Sequence, residues 1–144
     1  MMGQQPGELE SLIEIGKSFA QTYQPVLDFA GWKVAMLRYF DVVAPEHFHR
    51  VERHWNTNEV FILTAGEAYL IVLAGDTRPH LPFFALPMEL NVAYNVKQSV
   101  WHHVLMSPDA HIVLFERSET GPQSTDYAPL PDELIAQIRA QIRL

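Results

Sequence analysis

The sequence predicts an all-β protein of sandwich or barrel type, finished by one C-terminal helix. Three observations predict it. Short runs rich in Val, Ile, Leu, Phe and Tyr recur between residues 26 and 117, each bounded by Gly, Pro, Asn, Asp or Ser. Runs such as 60–63 and 69–73 are apolar at every position, so both faces of those strands need cover. After Pro131 the apolar spacing changes to the helical period, and only one such segment closes the chain.

Taken in order, residues 1–8 read as a frayed terminus, and Leu9–Ile15 has apolar spacing that fits either a short helix or a strand. Residues 26–29 and 32–40 read as a hairpin about Ala30-Gly31. On its second arm Trp32, Val34, Met36 and Arg38 share one face; Lys33, Ala35, Leu37 and Tyr39 share the other. Residues 50–54 form a short strand, and Asn56-Thr57-Asn58 is a turn that leads into a second strand at 59–64. Ala65-Gly66 is a tight turn before a return strand at 67–73.

Residues 77–91 carry three prolines and read as a loop with one short strand about Phe83-Phe84-Ala85. Strands follow at 92–96, 100–106 and 110–117, with Ser107-Pro108-Asp109 as the last turn. The helix opens at Pro131-Asp132-Glu133 and runs to about Arg143. Leu134, Ile135, Ile138 and Ile142 form its apolar stripe; acids stand at the positive end of its dipole and Arg139 and Arg143 at the negative end.

The length of 144 residues suits one domain, 1–144, with a core over about 26–118 and the helix over about 131–143. Apolar residues make up 48%, enough for a packed core and too many for a disordered chain. A net charge of −7 with no basic stripe argues against a nucleic-acid binder. With no cysteine there can be no disulfide scaffold, thiol nucleophile or iron–sulfur cluster. No G-x-S-x-G elbow and no glycine-rich phosphate loop occurs. The longest apolar run, Ala68–Ala74, is too short to span a membrane, and neither a secretory nor a lipidation signal is visible. The expectation is a soluble cytoplasmic protein.

The histidines carry the chemistry. Glu52 and His54 are two apart on a strand and share a face, and a hairpin turn would bring Glu59 across from His54. One imidazole with one or two carboxylates makes half a site for a hard or borderline divalent metal. The plainer reading is a polar strand-end histidine hydrogen-bonded to Glu52 or Glu59. His47 and His49 are spaced wrongly for Glu59 and read as a lip of the strand, and His80 and His111 as surface or core residues. Phe61, Tyr69, Phe83, Phe84, Tyr94 and Phe115 read as core and pocket walls. Arg53 points away from His54 as a surface ion pair. Arg38 reads as a strand residue with a pocket cation for a carboxylate as the alternative.

With these residues in place the chain resembles the cupin superfamily. His54, Glu59 and Gly66 match three of the five fixed positions of the first cupin motif, with Glu52 at its first histidine and Glu46 at its first glycine. The second motif falls on Asn91–Met106; there His102 matches, while Asn91, Lys97, Ser99 and Met106 occupy the Gly, Pro, Gly and Asn positions. Val100-Trp101-His102-His103 is similar to a segment of small single-domain cupins, including ureidoglycolate lyase-like proteins, and the likeness extends over about 28–118.

The resemblance implies a double-stranded β-helix, the cupin jelly-roll barrel. It also implies that His54, Glu59 and His102 stand at metal-ligand positions, with Glu52 a fourth ligand or the general base. Such a set suits a divalent transition metal (Zn, Fe, Mn or Ni) that would polarise a carbonyl or hydroxyl of a small polar metabolite. His103, on the opposite face of its strand, is then a second-layer residue. The alternatives are a metal-free ligand-binding cupin and a purely structural one. The doubly apolar strands suggest a homodimer.

Overall fold

The computed structural model describes residue 3 and residues 7–144. Most of the expected frayed terminus therefore lies outside the described residues. Leu9–Ile15 is neither helix nor strand: it holds a hydrogen-bonded turn and then extended chain, with Leu12 and Ile15 exposed. With no packed face, its apolar spacing has nothing to stabilise a regular element.

Ten strands follow: β1 (Tyr23–Phe29), β2 (Trp32–Arg38), β3 (Arg50–His54), β4 (Glu59–Ala65), β5 (Ala68–Ala74), β6 (His80–Pro87), β7 (Ala93–Val96), β8 (Trp101–Met106), β9 (His111–Arg117) and β10 (Thr125–Pro129). One helix, α1 (Asp132–Arg139), ends the fold. The strands form two five-stranded antiparallel sheets, in the orders β1-β2-β9-β4-β7 and β10-β3-β8-β5-β6. The β1–β2 hairpin is as expected, with Ala30 and Gly31 both at positive φ in its turn.

Two expected pairings are corrected. β3 and β4 are not a hairpin: β3 pairs with β10 and β8, β4 with β9 and β7. Nor does β5 return along β4; it pairs with β6 and β8. The turns at 56–58 and at Gly66 pass the chain from one sheet to the other. At Gly66 φ is +72° and an added Cβ would meet the Ala110 backbone at 2.5 Å, so this crossing needs glycine.

Two elements run differently from the pattern. β6 is a full eight-residue strand through Pro82 and Pro87, tolerated because β6 is the edge of its sheet. β10, at the opposite edge, pairs with β3 over Thr125–Pro129, a stretch with little apolar patterning. α1 stops short of Arg143, its last turn tightened by the Gln141 to Ile138 and Ile142 to Arg139 backbone bonds.

Between the sheets lies one core, including Ala35, Leu37, Phe61, Leu63, Val104 and Leu114. A second lies on the outer face of the β3–β8–β5 sheet, where Val51, Ile71, Trp101 and Leu105 meet Ile135 and Ile138 of α1. The doubly apolar strands β5 and β8 are thus covered by the chain's own helix. Arg139 pins that helix by donating to the carbonyls of Pro45, Glu46 and Phe48. No helix among the described residues is long and apolar enough to cross a membrane.

Candidate functional site

The inward faces of the strands turn from apolar to polar at one end of the barrel. β4 presents Leu63, Phe61 and then Glu59; β9 presents Ile112, Leu114 and then Glu116; β3 presents Arg50, Glu52 and His54. These ends enclose a cavity of about 420 Å³ between the sheets. Phe61, Leu37, Val104 and Leu114 give it apolar walls.

Glu52, His54, Glu59 and His102 converge there, each offering a ligand atom within 4.8 Å of the others. Glu52 stands opposite His102 in the β3–β8 register. Glu59 reaches them across the gap between sheets. Its Oε2 lies 3.0 Å from His54 Nε2 and 2.9 Å from His102 Nε2. Glu59 is 5% exposed and His102 2%, so the contact is made away from water.

The outer partners of the imidazoles fix their tautomers. His102 Nδ1 lies 2.8 Å from the Val100 carbonyl and must donate to it. Thr125 Oγ1 donates its single proton to Gly121 O at 2.8 Å, so it accepts from His54 Nδ1, also at 2.8 Å. Each neutral ring therefore turns its Nε2 lone pair toward Glu59, which as a carboxylate can only accept. Two lone pairs and a carboxylate facing one another call for a positive charge between them: protons on the rings or a metal ion. The donor set of two imidazoles and two carboxylates, with each ring oriented by an outer hydrogen bond, fits a borderline divalent metal.

The same arrangement sets the charges. Burial opposes protonation of both imidazoles, but the Glu59 hydrogen bonds and charge outweigh it and hold both above the ordinary histidine value. Burial would raise Glu59, yet the two histidine bonds keep it below the usual carboxylate range. Glu52 is raised by its own burial, with His102 opposing.

The remaining candidates are dispersed. His103 lies on the face of β8 opposite His102, stacked on Phe48 with ring centroids 5.2 Å apart and Nε2 donating to Val42 O; it borders the cavity but not the cluster. His47, His49 and His80 are exposed and outside the cluster. Arg53 lies on the outer face, paired with Asp126 at 2.9 Å and over the Trp101 ring. Arg38 is not a pocket cation: its strand turns it outward, where it meets Ser18 O, the Phe19 ring and His111.

The cavity has a second polar wall, made by Tyr23, Lys33, Glu116 and Thr120 on and beside the β1–β2–β9 side. Lys33 was the legible member: a lysine sharing a strand face with Ala35 and Leu37 is either an error of burial or a site residue. Tyr23 and Thr120 left no local signal. Thr125 and Tyr127 enter the cavity on β10, the strand without a pattern.

No curated protein matches the chain in sequence. Solved structures similar to it include a protein of Bacillus halodurans, at 11% identity over 83% of this chain and 85% of that one, with a TM-score of 0.55. An uncharacterised conserved protein with a double-stranded β-helix domain from Klebsiella pneumoniae is similar at 12% identity, covering 83% and 91%, with a TM-score of 0.50. A 3,4-ketoisomerase from Helicobacter canadensis is similar at 15% identity, covering 73% of each chain, with a TM-score of 0.50. These likenesses establish the fold, a double-stranded β-helix. The sequence pattern of ureidoglycolate lyase matches residues 14–130, which hold all ten strands, and the chain belongs to the ureidoglycolate lyase family.

Proposed function

We propose that the chain is a metal-assisted lyase acting on a small polar metabolite, with ureidoglycolate as the substrate its family suggests. The observation that carries this reading is the convergence of His54 Nε2, His102 Nε2 and Glu59 Oε2 beside Glu52 in one cavity. His54, Glu59 and His102 would hold the metal, and when bound it would polarise an oxygen of the substrate.

An α-hydroxy-α-ureido acid is cleaved by taking the carbinol proton, forming the carbonyl, breaking the carbon–nitrogen bond and protonating the departing nitrogen. In this reading Glu52 makes both transfers. It lies at the cavity side of the cluster, with its nearer oxygen 3.8 Å from His54 Nε2. It takes the hydroxyl proton as base and returns it to the leaving urea as acid, so no water is consumed. The competing reading, a metal-free binding cupin, draws on the direct histidine–Glu59 bonds, which two ring protons satisfy by themselves.

Elemental analysis of protein purified without a polyhistidine tag, beside His102→Ala, separates the two. Near one equivalent of transition metal in the parent and little in the variant, with urea released from ureidoglycolate only by the parent, is the expected result. Background metal in both proteins, with the fold intact, overturns the metalloenzyme reading.

A further inference from the structure

The sandwich is open along one side. In β6, Phe83 and Ala85 pack on the outer core. Phe84 and Leu86 alternate with them and stand opposite Val72 and Leu70 of β5, so they share the inner face. β7 ends the other sheet on this side and has four residues against eight in β6. It leaves part of that inner face uncovered. Met88, beyond the strand, is buried in the core, but Leu86 is 42% exposed and Phe84 62%. Leu81 before them and Leu90 in the connection to β7 are each more than half exposed.

This edge lacks the usual protection. Edge strands are commonly guarded by charged side chains, yet Leu81–Val96 carries one charged residue, Glu89. Charge depletion with exposed aromatic and aliphatic side chains is the composition of an interface centre. The area agrees. The chain exposes 8892 Å². A folded monomer of 16.5 kDa exposes about 7600 Å², which leaves a surplus of about 1300 Å². The extended stretch before β1 accounts for part of it. A standard interface takes about 800 Å² from each partner, so the surplus is of the size one dimer contact removes.

We propose that this open edge is the interface of a two-fold homodimer, in which Phe84 and Leu86 of one protomer pack against the same pair of its partner. Leu81 and Leu90 form the rim. A patch without charges gives a foreign partner little to be selected by, whereas a second copy brings an identical apolar face on a two-fold axis. Pro82 and Pro87 lie in β6 and give no N–H for a ladder, so the copies join by side-chain packing and not by extending the sheet. The doubly apolar strands β5 and β8 do not supply this face, since α1 covers them. None of the four residues lines the cavity, so the inference is independent of the reaction proposed there.

Sedimentation velocity on the full chain over a range of concentrations tests this, with circular dichroism to check the fold of each variant. The parent is expected at twice the chain mass. Phe84→Ser is expected to raise the dimer Kd by about thirtyfold or more, as for a central aromatic of an interface. Leu90→Glu puts a charge at the rim, in a connecting segment outside the strands, and is expected to split the dimer even if Phe84→Ser unfolds. Leu12→Ser with Ile15→Ser removes exposed apolar surface elsewhere and is expected to leave the dimer intact. A monomeric parent overturns the proposal. So does a dimer that survives Phe84→Ser or Leu90→Glu in a folded variant, or one that the Leu12 and Ile15 changes split.

Discussion

Glu59 Oε2 and His102 Nε2 lie 2.9 Å apart although their residues are 43 positions apart and belong to different sheets. His54, five positions before Glu59, meets the same oxygen from the histidine's own sheet. One buried carboxylate therefore ties the two sheets together at the mouth of the cavity.

Glu59→Gln keeps the shape and removes the charge. It leaves both imidazoles without their anionic partner in a buried place, where charged hydrogen bonds are worth about 1.5–3 kcal/mol each. A loss of about 2–3 kcal/mol in stability is expected by urea unfolding at neutral pH. An unchanged midpoint would show that the cluster contributes nothing to holding the sheets together.

Glu116 predicts a pH dependence. Burial, reinforced by the charge of Glu59, raises its carboxyl above the ordinary value of 4.5; Tyr23 and Lys33 pull the other way without cancelling this. The folded chain then binds this proton more tightly than the unfolded chain, so stability falls as pH rises from 4.5 through the folded value. Gln carries no such charge. The melting temperature of Glu116→Gln relative to the parent is expected to climb from pH 4.5 toward neutrality, and calorimetry at several pH values would expose a flat or opposite trend.

Ser99 sits at φ +66° and Asn91 at +63°, the two places where the second cupin motif has glycine. The left-handed backbone is thus retained without the residue that adopts it freely. Ser99 N also donates to His54 O at 2.8 Å, so this turn locks β3 beside the start of β8. Ser99→Gly relieves about 1–2 kcal/mol of left-handed strain and returns part of it through the unfolded chain's greater freedom. A net gain of about 0.5–1 kcal/mol is expected by thermal unfolding; a loss would mean the serine hydroxyl matters more than the backbone.

Ile138 is fully buried between α1 and the outer face of β8 and β5. Ile138→Ala is expected to cost about 2–5 kcal/mol, as for other large-to-small core changes. Cooperative loss of the whole fold, followed by near-ultraviolet circular dichroism, would confirm the helix as part of the barrel. Local fraying with the barrel intact would mark it as an appendage.

The extent of foresight differs element by element. Alternation over residues 32–38 defines two faces, both partly apolar, and leaves open which is inward; the structure buries the face of Lys33, Ala35 and Leu37. Ala30-Gly31 announced a hairpin because a two-residue turn at positive φ has few other uses. Composition does not rank His102 against His103, since both faces of β8 are apolar; motif spacing selects His102, and the structure puts it against Glu59 while His103, although it also borders the cavity, stays out of the cluster. β10 escaped notice because an edge strand is held by backbone pairing to β3 more than by side-chain pattern.

Properties that depend on near neighbours are legible in the chain directly: an all-β pattern, its turns, a helix with one apolar stripe, and a histidine and a glutamate at set spacing. Those follow from side-chain alternation, glycine and proline conformation, and helical period, all of which act over a few residues. Only the tertiary structure decided that β3 and β4 lie in opposite sheets, so that Glu59 meets His54 and His102 across the gap. Packing of the whole chain also lays α1 over the outer face and brings Lys33 and Thr120 to line the same cavity as the histidines. Strand pairing joins residues tens of positions apart, and an apolar strand has the same local pattern whichever neighbour it takes; the choice among neighbours is made by packing the whole chain at once.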